Sequence, residues 1–316
     1  MSKRFDVITI GSAVRDIMFR TDAAVMIKNP RHDPTKLSLI GFEYGAKIHS
    51  EDVHRFYGGG AMNTAVCFAR LGLHVAACLR VGQDADGAAM VKHLQLEKIN
   101  TKFVQRDHSV STGLSFLIVE TKTNEHVALV DYGANDHVTL PTQVLKGVPQ
   151  WFYVSSLSTP RWPHLLKQLV NTSAHLAWNP GAIQLTGYKK MVPFLKKTAV
   201  LILNKDEATE LSVRIKQPPP QFGADSVIVT DGRYGATAYT HGRRYTVKPK
   251  SNHAKDTTGA GDAFGSSFVA GLMKTKGDVP QALQIASINA TAEVGQIGVQ
   301  NGLLSWRELQ RQLTHR

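Results

Sequence analysis

An α/β fold with a doubly wound, mostly parallel sheet flanked by helices is what this sequence predicts, and three observations predict it. Short, continuous apolar runs that suit buried parallel strands alternate with helix-period segments along the chain. A glycine-rich turn at 256–261 opens directly onto an apolar-periodic segment. Two helix-poor stretches, Asp16–Tyr57 and Thr112–Asp131, show alternating patterns that suit a small antiparallel sheet inserted into the α/β body.

The elements follow in order. Val7–Gly11 is a β-branched run ending at glycine, read as a buried strand. In the first insert, Ile17-Met18-Phe19-Arg20 alternates. After Gly60, Ala61, Met62, Ala65, Val66, Phe68 and Ala69 recur at helical spacing, and Gly72 stands just past the end as a stop. His74–Val81 reads as a strand and Asp86–Lys98 as a helix. Leu114–Val119 and Val127–Val130 supply the second insert, separated by the polar Glu120–His126. Phe152–Ser155, Ala199–Leu203 and Ser226–Thr230 are further strands; Asn204 and Glu207 open a helix, and Pro218-Pro219-Pro220 links that helix to the next strand. Helices are expected over 262–274, 279–294 and 305–313. The whole chain, 1–316, reads as a single domain with inserts at about 14–57 and 111–131.

Composition narrows the class. Hydrophobic residues make up 42% of the 316 and charged ones 20%, an ordinary globular balance. Cys67 and Cys78 lie in apolar surroundings, suit buried free thiols and form no metal spacing, which fits a reducing cytoplasm. Met-Ser-Lys-Arg-Phe-Asp runs straight into a strand, so no signal peptide is expected. Arg70, His74 and Arg80 interrupt the longest apolar stretches, so no membrane span and no membrane partner is expected. The net charge of +12 is scattered, with short clusters such as Lys189-Lys190 and Arg243-Arg244 and no recognisable nucleic-acid motif. A field that attracts ATP and other anions is the reading taken.

The run Asp256-Thr257-Thr258-Gly259-Ala260-Gly261-Asp262-Ala263-Phe264 carries the most chemistry. With no bulky side chains in the way, the backbone N–H groups of Gly259, Ala260 and Gly261 can point at a bound anion, which a helix N-terminus also favours. Asp262 falls in the first turn beside that pocket, where a carboxylate can take a proton from a hydroxyl as phosphate arrives. Phosphoryl transfer to an alcohol is the chemistry this predicts. The glycine turn by itself also fits a plain left-handed cap with an acidic dipole partner; Asp256 and the two threonines weigh toward chemistry. Asn204 and Glu207 offer oxygen donors on the crevice side and fit indirect Mg²⁺ binding, and their spacing equally fits a capping box. A nicotinamide-dependent dehydrogenase built on Gly58-Gly59-Gly60 is disfavoured, because that loop lacks the Gly-x-Gly-x-x-Gly spacing and does not follow the first strand.

Residues 256–264 resemble the C-terminal signature of the ribokinase-like (PfkB) carbohydrate kinases. Gly58-Gly59-Gly60-Ala61-Met62-Asn63-Thr64-Ala65 resembles the family's N-terminal Gly-Gly signature. Asn204-Lys205-Asp206-Glu207 is similar to its Asn-x-x-Glu motif, and Thr230-Asp231-Gly232-Arg233-Tyr234-Gly235 to its nucleotide-side turn. Gly133-Ala134-Asn135 matches a further element near the lid. The resemblance spans residues 11 to about 300 and implies a ribokinase-like fold, with the two inserts forming a lid that in some members is also a homodimer contact.

It further implies an ATP- and Mg²⁺-dependent kinase acting on a primary hydroxyl of a sugar, the nucleoside kinases and a catalytically silent sugar or nucleotide sensor being the alternatives. Asp262 would be the base, with Gly259, Ala260 and Gly261 holding the transferring phosphoryl. Asp16, Gly59, Gly60 and Asn63 would contact the acceptor. Asn204, Thr230, Gly232, Gly235, Asn289 and Gly298 would border the nucleotide, and Glu207 would hold Mg²⁺ through water. Asp256 and Thr258 match positions that coordinate a monovalent cation such as K⁺ in similar members; alternatively Asp256 braces the glycine turn. Two departures put ribose itself in doubt: Val14 and Gly60 stand where ribokinases usually carry an Asn and a Lys. A nucleoside base could meet lid aromatics such as Phe19, Phe42 or Phe116.

Overall fold

The computed structural model describes residues 4–28, 38–50, 52–122, 126–250 and 254–314; those parts of the expected inserts that fall at 29–37, 51 and 123–125 lie outside the described residues. Walking the chain, strand β1 (Val7–Ile10) is followed by β2 (Val14–Thr21), β3 (Val25–Lys28), β4 (Ser38–Gly41) and β5 (Asp52–Gly58). Helix α1 (Gly60–Arg70), β6 (Val75–Cys78), β7 (Arg80–Gly82), α2 (Ala85–Leu96) and β8 (Gln105–Asp107) come next. Then follow β9 (Gly113–Glu120), β10 (His126–Asp131), α3 (Thr142–Lys146), β11 (Trp151–Val154), α4 (Trp162–Leu169), β12 (His175–Trp178), α5 (Ala182–Thr186) and α6 (Tyr188–Leu195). The last third holds β13 (Val200–Asn204), α7 (Lys205–Ile215), β14 (Ser226–Thr230), β15 (Ala236–Thr240), β16 (Arg243–Val247), α8 (Ala260–Lys274), α9 (Val279–Val294) and α10 (Trp306–Thr314).

Eight strands form the central sheet in the order β16-β15-β14-β13-β12-β11-β1-β6. The six strands from β14 to β6 are parallel, and β15 and β16 extend one edge as an antiparallel hairpin. Strands such as Val7–Ile10 and Val75–Cys78 are buried throughout, because helices cover both faces, and this is why they read as unbroken apolar runs. Val7 belongs to one core with Phe68, Phe264, Phe268 and Leu283; Ile8 and Ile10 belong to the other with Trp162, Trp178 and Leu201. Both cores rest on the period-2 pleat of the same strands.

The chain leaves β1 toward β6 on one side, and β11 later fills the other side. Between β1 and β11 the strand order reverses, and in such sheets the crevice beyond the carboxyl ends of the strands receives ligands. Ser12 and Ser155 lie beyond β1 and β11 at that crevice.

The second sheet has the order β10-β9-β2-β5 and corrects one expectation. It is mixed, not antiparallel: β2 and β9 run parallel from Val14↔Gly113 to Thr21↔Glu120, while β5 and β10 pair antiparallel on either side. A parallel pair needs a long crossover, and here the stretch from α1 to β8 supplies it. Asn135 pins the root of this sheet. Its Nδ2 donates to the carbonyls of Ala13 (3.0 Å) and Tyr132 (2.8 Å), and its Oδ1 accepts from Ala13 N–H (2.9 Å).

The strand expected over His74–Val81 is two strands, with β7 turning aside to pair with β8. Among the described residues no helix is long and apolar enough to cross a membrane, and both cysteines are buried free thiols.

Candidate active site

Two helices begin at the crevice, and their first turns are occupied differently. At α1, Gly59 has φ 97° and offers no side-chain cap, and the preceding strand end fills the gap. Ser12 accepts Gly60 N–H on its Oγ (3.1 Å) and the N–H groups of Ala61 (3.1 Å) and Met62 (3.4 Å) on its carbonyl. These donors are therefore spent within the protein, and the Gly58–Gly60 turn has no free set of N–H groups for phosphate. That removes the structural basis of a dinucleotide loop here.

At α8, Gly259 takes a left-handed conformation, φ 80°, that puts the chain on line for the helix without a side-chain cap. Ala260 N–H reaches the Thr257 carbonyl at 3.3 Å, whereas among the described residues the N–H groups of Gly259, Gly261 and Asp262 meet no acceptor. Gly261 is exposed, and a Cβ placed on it would meet nothing within 4 Å. A fifteen-residue helix thus presents open donors and the positive end of its dipole to the crevice, the physical requirement for an anion site.

Asp262 stands in that first turn. Its Oδ2 accepts from Asn63 Nδ2 at 2.9 Å. A Cβ on Gly60 would lie 3.5 Å from its Oδ1 and only 2.6 Å from Ser155 Cβ, so Gly60 keeps clear the space that Oδ1 faces. The half-buried carboxyl is pushed up to about 6 by loss of solvent, which the Asn63 bond opposes. A group poised there is ionised at neutral pH yet basic enough to take a proton.

Asp16 is buried on β2, and its carboxylate fills the space that a side chain at Gly58 would need. Burial pushes it up to about 6; a hydrogen bond from Ser115 opposes this, and Asp256 and Asp262 add repulsion. Asp256 itself accepts Thr258 N–H (2.9 Å) on Oδ1 and Gly298 N–H (3.0 Å) on Oδ2, so it braces the glycine turn against the loop after α9. The structure therefore brings together Asp16, Gly59, Gly60, Asn63, Gly259, Asp262, Asp256 and Gly298.

A second group lies beyond β13 and β14. Asn204 Oδ1 accepts Glu207 N–H and Glu207 Oε2 accepts Asn204 N–H, both at 2.8 Å, a complete capping box at the start of α7. Burial raises Glu207, with Glu210 and Asp206 adding repulsion, and its Oε1 remains outside the box. Thr230 ends β14, and Gly232 and Gly235 take positive φ (49° and 99°) in the turn that follows. Lys205 Nζ bridges to Asp231 at 2.9 Å across this open shelf.

Asn289 corrects another expectation. It is fully buried, donates to Ser267 Oγ (2.8 Å) and Cys67 Sγ (3.4 Å), and accepts Leu304 N–H (2.8 Å). Both its donor hydrogens and its oxygen are engaged by α1, α8 and the chain before α10, and with no exposed surface it does not border the crevice. The sequence reading also missed Ser12, Ser155, Ser115 and Gln300, which shape the site; only Ser12 and Ser155, small residues just past strand ends, carried a positional signal.

Fold, open helix N-terminus and poised carboxylate define a phosphotransferase of α/β class. Among protein families, pfkB family carbohydrate kinase matches residues 26–306, and the chain belongs to that family. An uncharacterised sugar kinase of Archaeoglobus fulgidus is 28% identical over 74% of this chain and 96% of that protein. The ribokinase of Haemophilus influenzae is 26% identical over 86% and 92%, respectively. In fold, the chain is similar to the nucleoside kinase of Methanocaldococcus jannaschii, with a TM-score of 0.80, 21% identity and 99% of each chain covered. The chain is thus an ATP-dependent kinase of the sugar and nucleoside class.

Proposed function

We propose that this enzyme transfers the γ-phosphoryl of ATP to a primary hydroxyl of a sugar, with Asp262 as the base. The observation that carries the reading is the division of labour on Asp262: Oδ2 is held by Asn63, while Oδ1 faces the space kept by Gly60 at the open end of α8. The acceptor hydroxyl would give its proton to Oδ1 late in a loose transfer, when its oxygen turns acidic. The N–H groups of Gly259 and Gly261 would stabilise the charge growing on the transferred group, while Ala260 N–H is turned to the Thr257 carbonyl at 3.3 Å. Asp16 and Asn63 would bind acceptor hydroxyls; buried polar groups of this kind penalise any acceptor that leaves them unpaired.

The nucleotide is assigned to the shelf of Asn204, Thr230, Gly232 and Gly235. Mg²⁺ suits Glu207, whose Oε1 lies outside the capping box and whose charge is repelled by Glu210 and Asp206; it would hold the ion through water. The ion would neutralise charge on the phosphates. A monovalent cation suits Asp256 and Thr258, because Asp256 repels both Asp16 and Glu293, and a positive charge would relieve that.

A nucleoside acceptor is the second reading, favoured by an apolar wall beside Asp16 made by Met18, Phe56, Leu117 and Ile297. Residues 14–57 and 111–131 would act as the lid of one kinase domain. Leu114, Val127 and Leu129 are exposed on the lid and would meet a second copy of the chain. Two buried free thiols support a cytoplasmic setting.

The test is ADP release from ATP and Mg²⁺ across sugars and nucleosides, with Asp262→Asn alongside. One class of acceptor should stimulate the wild type and leave the variant silent. Equal turnover by the variant would remove Asp262 from the base role.

A further inference from the structure

The proposed transfer uses one oxygen of Asp262, and the other is held by a line of side chains drawn from distant parts of the chain. Asn63 Nδ2 donates to Asp262 Oδ2 at 2.9 Å. Asn63 Oδ1 accepts from Gln300 Nε2 at 3.0 Å, and the same Gln300 nitrogen donates to the Tyr57 carbonyl at 2.9 Å. Gln300 Oε1 lies 2.8 Å from His93 Nε2. An amide oxygen only accepts, so His93 Nε2 carries the proton in this pair. The backbone of Gln300 is anchored as well: Arg70, in a bidentate pair with Glu97, donates to the Gln300 carbonyl at 2.6 Å.

Each partner fixes the orientation of the next. Were the Asn63 amide turned over, its oxygen would face the Asp262 carboxylate and its NH₂ would face the NH₂ of Gln300, two repulsions in place of two bonds. Asn63 and Gln300 are 5% and 6% exposed, so water cannot readily replace either partner. His93 ends the line, half-buried against the Tyr57 ring beside a cavity of about 150 Å³.

We propose that Gln300, held by His93, is a positioning residue for phosphoryl transfer: it fixes the Asn63 amide as a donor to Asp262 Oδ2 and so leaves Oδ1 as the oxygen that meets the acceptor hydroxyl. This rests on Asp262 being the base. The Asn63 bond is the interaction that opposes the effect of burial on Asp262. The other titratable groups facing Asp262 are Asp16 from β2 and Tyr153 from β11, and neither is a cation that could replace the bond. At the far end, Arg15 lies over the Tyr57 ring and pairs with Asp86, and Arg70 is held by Glu97.

The test is the pH profile of kcat and kcat/KM for the acceptor in Gln300→Leu, Gln300→Glu and His93→Phe, with Asp262→Asn as reference. Gln300→Leu should lower kcat about 10-fold, with KM for ATP held within about twofold. Its acid limb should move up by about one unit, as the bond that favours the carboxylate loosens. Gln300→Glu should do more, because a carboxylate in place of the donor draws the Asn63 NH₂ away from Asp262. His93→Phe should move the limb in the same direction by less; if the Gln300 variants do not fold, this change at the cavity edge carries the test. A kcat loss that tracks a lowered Tm, with an acid limb that stays put, would overturn the positioning role while leaving Asp262 as base. Turnover retained by Asp262→Asn would instead overturn the base reading itself.

Discussion

The acceptor side and the shelf assigned to the nucleotide are built on opposite plans. On the side proposed for the acceptor, Asp16, Asn63 and Ser115 are buried, and their bonds join elements far apart in the chain, β2 to β9 and α1 to α8. On the shelf, Asn204, Lys205 and Gly232 are exposed, and the polar contacts are a helix cap, a turn and the exposed Lys205–Asp231 pair between them. A polyol brings only neutral hydroxyls, so the protein must present desolvated, fixed charges to recognise and activate one of them. A nucleotide brings its own charge and ring, and an open ledge of backbone would be enough to seat it, with the proposed Mg²⁺ between its phosphates and the acidic start of α7. Burial raises a carboxyl on both sides, Glu207 on the shelf among them, but the values pushed up to about 6 belong to Asp16 and Asp262, where the proposed proton transfer lies.

The comparison breaks most sharply at Asp262. Asp262→Asn should lower kcat by about 10³-fold or more while ATP affinity, measured by calorimetry or fluorescence titration, stays nearly unchanged. Equal losses of transfer and of ATP binding would mean that the two sides are not separable. Gly60→Ala comes next. The new methyl would stand 2.6 Å from Ser155 Cβ and reach toward Asp262 Oδ1, so KM for the acceptor should rise about tenfold with KM for ATP little altered.

Stability sharpens the contrast. Asp262 has an ordinary value of 3.8 and about 6 in the folded protein, so the native state binds its proton more tightly than the unfolded chain. That stability is fully present below 3.8 and is lost as pH rises through about 6. Thermal melts should therefore show Asp262→Asn raising Tm at pH 7.5 and leaving it unchanged near pH 4, since an amide oxygen can still accept from Asn63. Asn204→Ala is the smallest of the set. It removes a cap worth about 1 kcal/mol at an exposed helix start, and melts should register that loss at every pH, with a modest rise in KM for ATP.

What could be read in advance follows from what sequence patterns encode. Parallel strands such as Val200–Asn204 are legible because burial on both faces leaves an unbroken apolar run. The direction of β9 against β2 is not, since alternation specifies a face and carries no information on polarity. Helices α4 and α6 are short, contain Pro163 and Pro193, and owe their existence to packing of Trp162 and Met191. The β15–β16 hairpin did leave a trace in His241-Gly242, both at positive φ, as a two-residue turn of this type needs. In the site, carboxylates and glycines clustered in short motifs announce themselves. Gln300 does not, because its partner Asn63 is 237 residues away and nothing local marks the pair. Asn289 misled for the related reason that an amide on a helix looks the same whether it faces a cleft or the helix next door.

The pin at Asn135 has a mechanical consequence. Its bonds hold the start of β2 to the chain leaving β10, on the far edge of β9, so three strands share one axle at the root of the lid. As the lid proposed above, such a plate would swing whole, and the frequency of that swing, separate from the chemistry proposed for Asp262, would set an upper bound on turnover.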